Sequence, residues 1–303
     1  MGGLLLPWRA GNSWRMSALT ILQQSNYDGF PKAAELIEIE GGHLLEASDR
    51  AVFNQLLQMA HDSGRLTEAD AEWEVSLASL RRAMSKHESN DRVRESLDRL
   101  MDTKIWVSHV SNRTGKSKTF KTHLLEFTDT DDRDSPGATV EFGIPKRLRL
   151  ILARSSRWGR VRCEIPYAMS SKYAVALYEM ICLRAKLDRC TERIDLQRFR
   201  RLVGVPPDAY ERGDNLMRFV IRPALLEVNG LSDLGVDIGL IRAHSRAPIT
   251  AVALCWWKKT GDEFRAAIDE RNRSKVGRKA RLKAQAQKSL TSTASALLAG
   301  NGA

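Results

Sequence analysis

Four polar residues recur at helical spacing within residues 212–222, and their side chains suit the reading of DNA bases: Arg212, Asn215, Arg218 and Arg222. A guanidinium group pairs with guanine through two hydrogen bonds, and an asparagine amide pairs with adenine in the same way. A helix is predicted over residues 214–228 because apolar residues lie among them, at Leu216, Phe219, Val220 and Leu225. We expect its apolar side to pack on the protein and its polar side to read bases.

A second set of basic residues suits contacts with DNA phosphates. Arg200 and Arg201 lie at the end of a short predicted helix that precedes the reading helix. In the first half of the chain, the corresponding residues for base reading are Arg92, Arg94 and Arg99. Phosphate contacts there are expected from Arg81, Arg82, Lys116 and Lys118. Phosphate contacts position a protein on DNA, whereas base contacts supply sequence preference.

The elements that must position these residues occur twice, a little over 120 residues apart. They are, in the first and second unit respectively, a first helix (49–57; 172–181), a short helix (77–82; 196–201), a third helix (91–101; 214–228) and two strands (105–110 and 119–125; 234–241 and 249–254). Each short helix is preceded by a Ser or Asp N-cap and carries an Arg-Arg pair. Three helices followed by a hairpin form a winged helix, a helix-turn-helix variant whose third helix enters the major groove.

The predicted fold class is therefore α+β, mainly helical, with tandem winged-helix domains related by a pseudo-repeat. The predicted parts are an acidic amino-terminal extension (1–45), a first winged helix for dimerisation and DNA backbone contacts (46–145), a linker (146–160), a second winged helix for sequence-specific binding (161–260) and a basic helical or disordered tail (261–303). Pro223 lies inside the third helix of the second unit and is expected to bend it or divide it in two.

The charge of the chain is unevenly distributed. The formal net charge is +11, yet residues 1–80 carry 5 basic and 11 acidic side chains, while residues 258–288 carry 11 basic and 4 acidic ones. Such asymmetry indicates a polyanionic partner, double-stranded DNA before an anionic membrane surface. The basic tail is interpreted either as a solvated helix or as an arm that contacts phosphates. No apolar stretch approaches the length of a membrane span, so we expect a cytoplasmic protein without a membrane partner.

Enzymatic, metal and cofactor functions are not supported by the motifs that they require. Gly115-Lys116-Ser117 resembles the end of a phosphate-binding loop, but Val110 occupies the place of the required upstream glycine. A nickase needs a metal-binding His pair beside a nucleophilic Tyr, and none of the six histidines forms such a pair. The four cysteines include no C-x-x-C pair. We therefore expect no catalytic residue, no cofactor and no metal site.

The second unit resembles the iteron-binding plasmid replication initiators, a family with two winged-helix domains. The resemblance lies in Ala168–Glu179, in Leu196-x-x-Phe199-Arg200, in Tyr210 and in Phe219-x-x-Arg222-Pro223-Ala224-Leu225-x-Glu227-Val228-Asn229. It covers about residues 160–257, and residues 48–150 only by layout. The sequence departs from the family pattern at the second wing, where it has His244-Ser245-Arg246-Ala247-Pro248.

The resemblance implies a non-enzymatic initiator that binds direct repeats at a plasmid origin as a monomer, opens the adjacent A·T-rich duplex and recruits the host initiator and replicative helicase. It also implies a dimer, in equilibrium with the monomer, that binds an inverted repeat and represses its own gene. Base reading is carried over to Asn215, Arg218 and Arg222, and phosphate contacts to Arg200, Arg201 and Arg246. Arg242, at the start of the second wing loop, is also expected to contact DNA.

Two other functions fit the same residues. One is a winged-helix transcriptional repressor without a replication role, which would bind DNA through the same surfaces. The other is a partner-binding scaffold whose positive charge is incidental.

Overall fold

The computed structural model describes residues 19–84, 89–111, 114–131, 135, 137–244 and 247–287. Its architecture is α+β and mainly helical, as the sequence predicts, with small antiparallel sheets beside a larger set of helices. Within the described residues, no helix combines the length and the apolar character needed to cross a membrane.

Within the described residues, the first half of the chain contains a winged helix with four strands besides those of its hairpin. Its elements are β1 (Phe30–Ala33), α1 (Ala34–Ile37), α2 (Ala47–Asp62), β2 (Trp73–Ser76), α3 (Leu77–Met84), α4 (Asn90–Asp102), β3 (Ile105–Val110), β4 (Ser117–Thr122), β5 (Phe127–Thr130) and β6 (Thr139–Gly143). Helices α2, α3 and α4 precede the β3–β4 hairpin in the predicted order. Strand β2 pairs with β6 in a separate sheet of order β2-β6-β5, a pairing that the repeat did not predict.

The second half continues with α5 (Lys146–Arg154), β7 (Trp158–Val161), α6 (Glu164–Ala168), α7 (Lys172–Arg184), β8 (Thr191–Asp195), α8 (Leu196–Val203), α9 (Gly213–Leu216), α10 (Arg222–Leu231), β9 (Leu234–Arg242), β10 (Ile249–Lys258) and α11 (Gly261–Asn272). Strands β8, β10 and β9 form one sheet in that order. The predicted N-caps are present in both units: the backbone N–H of Ser79 donates to Ser76 Oγ (3.2 Å), and that of Arg198 donates to Asp195 Oδ1 (3.0 Å).

The third helix of the second unit is divided at the predicted proline by a π-helical turn, Met217–Ile221, which joins α9 to α10. Pro223 lacks an N–H and its ring crowds the carbonyl four residues earlier, which is the carbonyl of Phe219. The buried residues follow a four-residue spacing: Leu216, Val220, Ala224 and Val228. On an α-helix, residues four positions apart differ by about 40° in direction, so a face with this spacing moves gradually around the helix axis. The wider π-helical turn compensates for this rotation.

Residues predicted as an extension and a linker form regular structure that pairs across the chain. Strand β1 is antiparallel to β7, with Phe30 opposite Val161. Both side chains are fully buried. The segment 146–160, the predicted linker, contains α5 and the start of β7; its run of Leu148, Leu150, Ile151 and Leu152 predicts a short docked helix, and Leu148 and Leu152 bury one side of α5. Residues 1–18 of the predicted extension lie outside the described residues.

Helix α7 lies between the two units and is buried along almost its whole length. Its Glu179 pairs with Lys32 of β1 (2.9 Å) and accepts a hydrogen bond from Asn54 of α2 (2.7 Å). All three side chains are buried, and burial lowers the pKa of Lys32 although Glu179 opposes the shift. On its other side α7 packs on α10. One helix therefore belongs to the core of both winged helices.

The basic tail is helical as far as the structure describes it and docks on the molecule. Residues 278–287 form a helix after α11. Arg278 is buried and donates to the carbonyl of Ala168 (2.8 Å), while Lys275 donates to the carbonyl of Met84 in α3 (2.9 Å). A β-carbon at Gly230 of α10 would lie only 2.2 Å from Leu282, so the close packing requires glycine there. This part of the tail is neither a wholly solvated helix nor a free arm; residues 288–303 lie outside the described residues.

Candidate nucleic-acid interface

One face of the third helix in the second unit is exposed and carries all four predicted base readers: Arg212, Asn215, Arg218 and Arg222. The opposite face is buried through Leu216, Val220 and Ile221, and α10 packs on α7. The apolar spacing therefore produces the division into a packed side and a free side that base reading requires. Base contact by these four residues stays a prediction.

The second wing lies beside the start of this helix. A β-carbon at Gly213 would lie 2.1 Å from Ile249 Cδ1 of β10 and 3.2 Å from a guanidinium nitrogen of Arg242 in β9. The glycine at the helix start thus allows the ends of both wing strands to approach. Arg242 is exposed at this junction, which suits its predicted DNA contact. Arg246, in the wing loop, lies outside the described residues.

The structure buries Arg200, for which a phosphate contact is predicted. Its side chain is 6% exposed and points into the loop before the reading helix, where it donates to the carbonyls of Tyr210 (2.9 Å), Ala209, Pro206 and Pro207. The carbonyl of Pro206 also accepts from the backbone N–H of Ala209 (3.2 Å), and the guanidinium of Arg200 supplies several donors at once to the rest of the loop. Arg200 therefore shapes the loop that leads into the reading helix.

Arg201 is half exposed, but it is not a free cation. Its guanidinium pairs with Glu40 at 3.0 Å, in a groove that Trp106 of the first wing also lines. Glu40 is joined to Trp106 by two backbone hydrogen bonds of 3.2 and 2.9 Å. Arg201 thus lies where the two units meet, and its predicted phosphate contact would compete with this ion pair.

The third helix of the first unit presents a different surface from the predicted one. Its exposed residues are mostly acidic: Asp91, Arg92, Glu95, Asp98 and Asp102. Only 12% of the Arg94 side chain is exposed; its guanidinium lies 3.6 Å from the carboxylate of Asp91 and donates a hydrogen bond of 3.4 Å to the carbonyl of Asp131. Arg99 forms two hydrogen bonds of 2.9 Å to the buried carboxylate of Asp49. The guanidinium groups of Arg94 and Arg99 are thus engaged within the protein, and Arg92 stands among carboxylates, so base reading by this helix stays a prediction.

The first wing, in contrast, is basic. Lys116 and Lys118 are exposed as predicted, and the sequence interpretation missed Lys121 on the same hairpin, whose ammonium lies 5.7 Å from the Trp106 ring centroid. Its position in β4, close to Lys116 and Lys118 in the sequence, could have identified it as a further phosphate contact. Arg82 is exposed, whereas Arg81 is partly buried. The first unit thus offers phosphate contacts from its hairpin and not from its third helix.

Several residues of the family-like motif serve the fold instead of the interface. Glu227 accepts hydrogen bonds from the backbone N–H groups of Ser170 and Ser171, both at 3.0 Å, at the start of α7. Asn229 forms a pair of hydrogen bonds with the backbone of Val236 in β9, at 2.9 and 2.8 Å. These bonds join α10 to the first helix and to the wing of its unit.

Two titratable groups lie close to the interface. Burial raises the pKa of Tyr173, with a smaller contribution from its hydrogen bond with Tyr210. Burial likewise lowers the pKa of Lys172, which donates to the carbonyl of His43 at 2.5 Å, and Arg50 adds to that shift. Both side chains are half-buried, and Tyr173 contacts Tyr210 in the loop before the reading helix.

The fold and the basic surfaces define a tandem winged-helix protein. Residues 31–182 match the model of the initiator replication protein family described as WH1, and residues 195–252 match the model described as WH2. These matches take in more than half of the chain, and the chain belongs to this family of replication initiators. The family that the sequence resembles is thereby confirmed. A comparison with curated proteins gave no match.

Two solved structures are similar to this chain at low sequence identity, and the first of them shares its fold. The Pi initiator protein in complex with iteron DNA is 13% identical, with a TM-score of 0.55, over 78% of this chain and 100% of that one. Domains 2 and 3 of RctB are 14% identical over 71% of this chain and 83% of that one, with a TM-score of 0.43.

Proposed function

We propose that this protein initiates replication by binding directly repeated DNA sequences at an origin, and that it acts without catalysis. The observation that carries the proposal is the exposed face of Asn215, Arg218 and Arg222, which lies beside the second wing in a chain of the replication initiator family. The Pi initiator, which shares the fold, has been solved with iteron DNA.

In this proposal the two units divide the work of binding. The second unit places its third helix in the major groove and reads bases, because its exposed face offers guanidinium and amide groups. The first unit contacts phosphates through the lysines of its hairpin, and the carboxylates of α4 stay away from the DNA because phosphates repel them.

The remaining parts of the proposal are the activities that the resemblance to the replication initiator family implies. A bound monomer opens an A·T-rich duplex next to the repeats and recruits the host initiator and helicase. A dimer joined through the first unit represses the protein's own gene. The docked tail supports the use of both units on one DNA, because it contacts Met84 in the first unit and packs on α10 in the second.

The test is binding of the full chain to the DNA that flanks its gene, intact and with its repeats scrambled, across a series of salt concentrations. We expect a strong preference for the tandem repeats, one protein per repeat, and autonomous replication of a plasmid that carries the same segment. A dimer on a single inverted repeat, without replication, would instead indicate a repressor. Equal and salt-sensitive binding to both DNAs would contradict sequence-specific initiation, and weak binding at every salt concentration would indicate a scaffold.

A further inference from the structure

Phe219 occupies an unexpected place on the candidate interface. The sequence assigns it to the packed side of the third helix, but 45% of the residue is exposed. It lies four residues after Asn215 and three before Arg222, and all three are exposed. The π-helical turn that contains Phe219 turns Val220 and Ile221 inward and leaves the phenyl ring outside. The ring thus adds an apolar group to a face that otherwise carries polar, base-reading side chains.

The ring is held in place from more than one direction. Tyr210 stacks on it with a centroid distance of 5.5 Å and an angle of 26° between the rings. The guanidinium carbon of Arg218 lies 5.1 Å from the Phe219 centroid. With neighbours on the ring, its conformational freedom is already reduced before any ligand binds.

Tyr210 itself is fixed by the backbone around it. Its φ of 55° is the one positive value outside glycine among the described residues, and such a conformation persists only where the surroundings enforce it. Arg200 enforces it by donating to the carbonyls of residues 206, 207, 209 and 210. Arg200 therefore fixes Tyr210, and Tyr210 in turn supports the exposed ring of Phe219.

The major groove presents one apolar group among the four bases, the 5-methyl group of thymine. Asn215 suits adenine, whose partner is thymine, and Phe219 lies one turn further along the same face. We infer that Phe219 contacts a thymine methyl group of the bound repeat and so determines part of the sequence preference. The inference rests on the proposed function, because it requires this face to lie in the major groove.

The experiment replaces thymine by deoxyuridine, which removes only the methyl group, at one position of the repeat at a time. The probe is a labelled duplex that carries one repeat from the DNA flanking the gene, and its Kd is measured by fluorescence anisotropy at fixed salt. For the natural chain we expect one or two positions at which the loss weakens binding about fourfold, the effect of returning one methyl group to water. In Phe219→Ala the same positions should show no effect, and Phe219→Leu should be intermediate.

Binding of the natural chain to the unmodified repeat distinguishes a failure of the methyl contact from a failure of the proposed function. If the natural chain prefers the repeat but no deoxyuridine position weakens it, the methyl contact is wrong and the proposed function stands. The same conclusion follows if Phe219→Ala loses as much affinity at each position as the natural chain does. If the natural chain shows no preference for the repeat, both proposals fall. Thermal unfolding of Phe219→Ala checks that the exposed side chain is not needed for folding.

Discussion

The third helices of the two winged-helix units occupy corresponding places in the fold and present opposite charges. Helix α4 exposes four carboxylates and one arginine, whereas the helix that contains α9 and α10 exposes one carboxylate, Asp214, beside Asn215, Arg218 and Arg222. Phosphates repel the first surface and attract the second. The difference teaches that a repeated order of elements preserves the scaffold, while the exposed face of each helix decides whether it can read DNA.

The hairpins do not show this contrast. The first wing carries exposed lysines at 116, 118 and 121, and Arg242 is exposed where the loop of the second wing begins. Phosphate contact is thus available from both units, and base reading from one. The predictions below test that asymmetry and the core that both units share.

The largest effect is expected from the buried ion pair between the units. Lys32→Met leaves the carboxylate of Glu179 buried without its cation, and the free energy of unfolding should fall by about 3–5 kcal/mol. Urea unfolding followed by tryptophan fluorescence measures it. Adding Glu179→Leu should restore most of the loss, because the uncompensated charge is then removed. A decrease below about 1 kcal/mol in the single variant would mean that the pair does not stabilise the shared core.

The neighbouring arginines of α8 should differ strongly, although the sequence treats them alike. Arg200→Ala removes the guanidinium donor from the carbonyls of Pro207, Ala209 and Tyr210 and should lower the free energy of unfolding by about 2–3 kcal/mol. Arg201→Ala removes a half-exposed ion pair and should change it by less than about 1 kcal/mol. Chemical denaturation of both variants under one set of conditions provides the comparison. Equal losses would show that Arg200 has no special role in the loop.

Base preference should depend on the second unit alone. Arg218→Ala should weaken binding to the repeat by about 1–3 kcal/mol and relax the preference at one or two base pairs. The matched variant Arg92→Ala, at the exposed face of α4, should leave the base preference unchanged. Anisotropy titrations against single-base variants of the repeat measure both. A uniform loss across all DNAs for Arg218→Ala would place base reading on another element.

The smallest effect concerns the first wing. Lys116→Ala should lower the slope of log binding constant against log salt by about 1, without changing which sequence is preferred. Glu95→Gln in α4 serves as the control and should leave the base preference as it is. An altered base preference in Lys116→Ala would assign direct readout to a hairpin that we interpret as a phosphate contact.

Much of the local structure is predictable because it depends on neighbours in the sequence. The N-caps at Ser76 and Asp195, the order of helices and strands and the exposed face of Arg218 and Arg222 follow from spacing and side-chain type. The pairing of β1 with β7 is not predictable in this way, since it joins residues about 130 positions apart. Cys255 is a second example. It lies in an apolar run and yet is exposed, because successive residues of β10 face opposite sides of the sheet.

By itself, the sequence determined a basic, mainly helical protein with two winged helices and one helix face suited to base reading. Only the tertiary structure decided which arginines are available. Arg200 turns inward because unpaired loop carbonyls need a donor, and Arg94 and Arg99 turn toward Asp131 and Asp49. It also decided that Phe219 turns outward, because the π-helical turn before Pro223 shifts the register of the buried face. The type of a side chain is fixed by the sequence, but its direction depends on partners that only the folded chain brings near.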